Sequence, residues 1–79
     1  MTDIYVAICF DRHIDDQIEV FTNPIRAIDH CTSFLNARDY LRRYGEWVIE
    51  PIEGWLFHAC FSPGSNFPFA RVEKKTLKE

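Results

Sequence analysis

Three small groups of residues have the types and the spacing to do chemistry. Asp11, His13 and Asp15 alternate within D-R-H-I-D-D. On an extended backbone alternate side chains share a side, so two carboxylates and an imidazole would face a divalent ion together. No further His or carboxylate cluster completes such a coordination sphere, and a solvated acidic hairpin turn uses the same residues. His58 and Cys60 lie two apart, with Cys9 within reach if their strands are neighbours, which is the raw material of a thiolate–imidazole pair. A nucleophile also needs an oxyanion site and a cleft, and no Gly-rich loop or helix-entry motif supplies them; a His bordering a packed face explains the residue equally well. Arg38, Arg42 and Arg43, at i, i+4 and i+5 with Trp47 close by, can hold phosphate and stack on bases. Compensation of a helix C-terminal dipole accounts for the same arginines.

The element that must position these groups is the stretch Pro24 to Tyr44. Thr22 and Asn23 can cap it, and Pro24 fits the first helical turn. Ala27, Ile28, Cys31, Phe34, Leu35 and Leu41 fall within about a third of the circumference at roughly 100° per residue. Arg26, Asp29, Ser33, Asn36 and Tyr40 lie opposite, and Gly45 is a natural terminator. The pattern predicts one helix over the whole stretch, packing through Ile28, Cys31 and Leu35.

Both flanks read as strands. Ile4 to Phe10 is apolar on both sides, with Ile4, Val6, Ile8 and Phe10 on one and Tyr5, Ala7 and Cys9 on the other. Gln17 to Phe21 alternates, which predicts Ile18 and Val20 inward and Gln17 and Glu19 outward. Asp11 to Asp16 joins the two as a hairpin turn. Glu46 to Ile52 is extended, and Pro51 confines it to an edge. Trp55 to Phe61 is a strand apolar on both sides. Ser62-Pro63-Gly64-Ser65 carries a type II turn signature, and the chain returns over Phe67 to Glu73 before a basic tail, Lys74 to Glu79, expected to fray. Phe69 and Val72 differ in parity, which is read as a bulge or a mixed environment there. The expected fold is therefore α+β: a single helix packed on a four- to five-stranded, mainly antiparallel sheet, ββα followed by a β-hairpin with room for one extra short strand. At 79 residues it forms one compact domain.

The order resembles that of small, functionally uncharacterised ββαββ proteins of prokaryotic and phage genomes. The features that match are the opening strand, the charged turn ending in Asp15-Asp16, the strand Ile18-Glu19-Val20-Phe21 and the helix entered through Asn23-Pro24. The resemblance implies a fold and no activity.

Composition bounds the function further. Seven Phe, three Tyr and two Trp give a core without disulfides or a structural metal. Cys9, Cys31 and Cys60 are widely spaced among apolar neighbours and read as reduced core thiols. No apolar run approaches the ~20 residues of a membrane span and the start lacks a basic leader, so a cytoplasmic protein is expected, in the host cytoplasm if the gene is a phage's. The net charge of −3 is uneven, with five acids against one Arg over residues 1–23 and a basic stretch at the end. Such alternation argues against a whole-surface nucleic-acid binder and leaves Asp11, Asp15, Asp16 and Glu19 as an acidic patch for a basic partner.

One helix covers one face of a sheet, yet two strands are apolar on both faces. The face left over is read as Tyr5, Ala7, Cys9, Leu56, His58 and Cys60, or as the Trp55, Phe57 and Phe61 set if the sheet is turned over. A contiguous apolar face on a small protein marks an interaction surface. The expectation is a cofactor-free module that acts by binding a protein partner or a second copy, as an inhibitor or adaptor; a phage product that blocks a host complex is one version. The alternatives are a metal- or ligand-binding enzyme built on Asp11, His13, Asp15 and His58, and a nucleic-acid binder using the arginines.

Overall fold

The computed structural model describes residues 2–11, 17–61 and 68–77. Its elements are β1 (Thr2–Phe10), β2 (Gln17–Phe21), α1 (Pro24–Leu35), α2 (Arg38–Tyr44), β3 (Val48–Ile49), β4 (Phe57–Cys60) and β5 (Phe69–Leu77). The strands form one sheet in the order β2-β1-β5-β4-β3, and every pairing is antiparallel. This is the expected α+β architecture, with the first and last strands paired at its centre. The extra strand anticipated between the helical stretch and the final hairpin exists as β3, a two-residue edge ended by Pro51.

The α1 cap forms as its residues dictate. Asn23 Oδ1 accepts from the backbone N–H of Ile25 at 2.8 Å and of Arg26 at 3.3 Å, with Pro24 at the first helical position. The helix does not run through to Tyr44. It stops at Asn36, and Ala37 is extended at φ −57°, ψ 132° before α2 begins. The break changes the phase of the second half. A continuous helix would turn Leu41 to the sheet and Tyr40 to solvent; here Leu41 is 39% exposed and Tyr40 packs inward against the core. Asn36 closes the corner by accepting Trp47 Nε1–H at 2.8 Å. Gly45, at φ 86°, then ends α2 in a conformation that an L side chain adopts only with strain.

Other boundaries shift as well. β4 is shorter than the expected Trp55–Phe61. β5 runs through Leu77, so Lys74 to Leu77 pair with the start of β1 and are not frayed. Thr76 Oγ1 donating to Asp3 Oδ1 at 3.0 Å and the Lys74–Asp3 ion pair at 3.5 Å line that end of the ladder. The register between β1 and β5 is unbroken from Thr2↔Leu77 to Phe10↔Phe69, so the parity difference between Phe69 and Val72 reflects two faces and no bulge.

The core is built of small residues. Ala7, Cys9, Ala59, Ala70 and Val72 from the sheet meet Ala27, Cys31 and Leu35 of α1. Short side chains let the helix approach the sheet closely; Phe61 is the one buried aromatic of the cluster, and most of the bulk lies in a rim of Tyr5, Phe21, Phe34, Tyr40, Tyr44, Trp47 and Phe57.

Candidate interaction face

Antiparallel partners share a face, so the register assigns every strand residue to a side. The α1 side carries Tyr5, Ala7 and Cys9 of β1, opposite Phe21, Glu19 and Gln17 of β2 and opposite Lys74, Val72 and Ala70 of β5. Phe57 and Ala59 of β4 belong to the same side. The other side carries Ile4, Val6, Ile8 and Phe10, opposite Ile18 and Val20 on one flank and Phe69, Arg71, Glu73 and Lys75 on the other. His58 and Cys60 extend it across β4. Both α1 and the core cluster lie on the first side.

This sorts the expected residues. Tyr5 and Cys9 are on the covered side: Cys9 has no exposed surface and Tyr5 packs against the core, so neither belongs to the open face. Ile18 and Val20, expected inward, are on the open side and 59% and 58% exposed. Leu56 is exposed just before β4, its N–H bonded to the Val72 carbonyl at 2.9 Å. His58 and Cys60 do lie on the open side, although Cys60 is buried. The acidic patch divides. Asp11 is buried at the end of β1 and accepts Tyr40 Oη–H at 2.5 Å, whereas Glu19 is exposed on the α1 side of β2. Asp15 and Asp16, like His13 of the proposed metal triad, lie outside the described residues.

Three layers of chemistry run across the open face. On β1 and β2 it is aliphatic, formed by Ile4, Val6, Ile8, Ile18 and Val20. On β5 it is charged. Arg71 Nε donates to Glu73 Oε2 at 2.9 Å and Lys75 Nζ approaches Glu73 Oε1 at 3.3 Å. Toward β4 it is aromatic: the Arg71 guanidinium lies 4.5 Å from the centre of the Trp55 ring, and His58 sits between Trp55 and Phe69 at 5.3 and 5.9 Å. Phe69 in turn stacks on Phe10 at 5.0 Å. Sequence reading missed Arg71 and the aliphatic row. The signal that was present is the alternation of β2, whose two apolar residues share a parity with Val6 and Ile8 once the strands are paired.

The candidate chemical groups are occupied by structure. His58 Nδ1 is 3.1 Å from the Glu50 carbonyl, an acceptor, so that nitrogen carries the hydrogen and the ring is held by backbone and by aromatic neighbours. Cys31 is held as a neutral thiol, first by its hydrogen bond with Cys9 and then by burial, and its Sγ–H also reaches the Arg71 carbonyl at 3.6 Å. Burial, with the Glu50 charge, pushes the Cys60 thiol up. All three cysteines are buried and unpaired by disulfide. An open cleft of about 470 Å³ is lined by Asp11, Asp39, Tyr40, Arg42 and Arg43. Its buried carboxylate is already bonded to Tyr40, and the described lining holds no nucleophile beside a base. Arg42 and Arg43 are exposed at the last turn of α2, and the Trp47 indole is tied to Asn36. Comparison of the chain with protein-family models, with curated proteins and with solved structures gives no match.

Proposed function

We propose that the protein is a non-enzymatic binding module, an inhibitor or adaptor, whose docking surface is the open sheet face. The observation that carries this reading is the one-sided layering: α1 covers Ala7, Cys9, Ala70 and Val72, and no described helix lies over Ile4, Val6, Ile8, Ile18 and Val20. An aliphatic sheet face without a second layer is the kind of surface a partner covers. A small product that occludes a complex of its host is a concrete form of this function. Nucleic acid fits less well, because the cations of the face share the Glu73 carboxylate.

A photo-crosslinking residue at Ile18 should yield a discrete protein adduct in the native host, and the adduct should vanish with Val6→Lys. The same residue at Ser33, exposed on α1, should yield none. No adduct at Ile18, or equal adducts at both positions, would overturn the reading.

A further inference from the structure

We infer that the occupant of the open face is an amphipathic helix of three to four turns, bordered by carboxylates on the flank that meets β5; this rests on the docking reading above. The shape comes first. The aliphatic band is two strands wide, and at ~4.8 Å between strands its side chains span about 10 Å, close to the 10–12 Å diameter of a helix. Along β1 this face is apolar from Ile4 to the Phe10 ring, about 20 Å at ~3.3 Å per residue or roughly 13 helical residues, and Ile18 and Val20 widen it beside Ile8 and Val6. The opposite face of the same strands is covered by α1, which is a 12-residue helix. A strand added at the β2 edge would pair beside the band and leave it uncovered.

Charge selects the flank. Glu73 is the least exposed of the three β5 ions on this face, its side chain 19% accessible, and its two oxygens serve Arg71 and Lys75. The cations remain on show, Lys75 at 60% and Arg71 at 28%. The Arg71 guanidinium lies over the Trp55 ring and gives its Nε–H to Glu73, which leaves Nη hydrogens for a further carboxylate. The border of the band therefore presents net positive charge in a chain whose total is −3. A partner with Lys or Arg along that flank meets like charge, and one with Asp or Glu completes the ion pairs as it removes them from water. A second copy stacked on this face brings the same aliphatic band and the same cations, and among the described residues its face offers no carboxylate beyond Glu73.

The test uses two designed 14-residue amidated peptides with an identical Leu face, one flanked by Glu and one by Lys. Each is titrated into the full chain, with affinity from calorimetry and location from amide chemical shifts. The Glu-flanked peptide should bind at least tenfold tighter, with shifts on β1, β2 and β5. Lys75→Glu, a change at an exposed side chain, should remove or invert that preference. Equal affinity of both peptides at this face would overturn the inference and leave the docking reading standing. Tighter binding by the Lys-flanked peptide, shifts confined to α1 and α2, or no binding by either peptide would also overturn it. Loss of the Ile18 crosslink separately removes the reading beneath it.

Discussion

Tyr40 and Asp11 join the second helical segment to the end of the first strand, through a bond from a phenol to a buried carboxylate. Tyr40→Phe withdraws a donor from a buried carboxylate, a loss expected to cost about 1–3 kcal/mol. Denaturant midpoints read it. Burial first, then the Asp11 hydrogen bond and charge, hold the Tyr40 phenol above its usual value of 10.0. The folded state therefore keeps the proton that the unfolded chain releases, so the contribution is complete below about pH 10 and is lost as pH rises beyond it. Wild type should lose stability above pH 10 more steeply than Tyr40→Phe; superimposable alkaline limbs would refute this. Leu35 has no exposed surface and lies at the α1–sheet contact, so Leu35→Ala should cost roughly 2–5 kcal/mol. Asn36→Ala reads from the sequence as harmless, on the solvent side of a long helix. Because its Oδ1 holds the Trp47 indole, a cost of about 1 kcal/mol is expected instead, measured the same way.

At the scale of elements, α1 was legible because cap, first-turn Pro and apolar period agree over Asn23 to Leu35. The break after it was not. Periodicity continues through Leu41, and only the pull of Tyr40 toward Asp11 and of Asn36 toward Trp47 sets the new phase, contacts between residues 11 to 29 positions apart. The C-terminal strand was misjudged for a related reason. Lys74 and Lys75 look like a solvated tail, yet their backbone pairs with Ile4 and Tyr5 in the central ladder while their long side chains reach water. Deletion of residues 74–79 discriminates between the two views. A frayed tail would leave the thermal midpoint unchanged. The ladder predicts a loss of several degrees, since removal of Lys74 to Leu77 unpairs Thr2 to Tyr5 along one edge and deletes the Asp3 bonds with Lys74 and Thr76.

For the whole molecule the question is which side of the sheet is inside, and the amphipathic test fails where strands are apolar on both faces. Side-chain size decides what polarity leaves open. The side with Ala7, Cys9, Ala59 and Ala70 admits a helix at close range, and the side with Ile4, Val6, Ile8 and Phe69 holds it off. Parity then explains why the expected face mixed two sides: Tyr5 and Cys9 were grouped with His58 and Cys60, although the β1–β5–β4 register puts the two pairs on opposite sides. The layering makes a prediction about charge tolerance. Ile18→Lys and Val20→Lys place an ammonium on long stems at positions already 59% and 58% exposed, and each should change stability by no more than about 0.5 kcal/mol. Ala7→Lys buries the same charge between α1 and the sheet, at a residue with no exposed surface, and should prevent folding. Circular dichroism with urea titration on the three variants checks it. Unfolding by all three would mean that a second layer covers Ile18 and Val20, and the binding reading would lose the surface on which it rests.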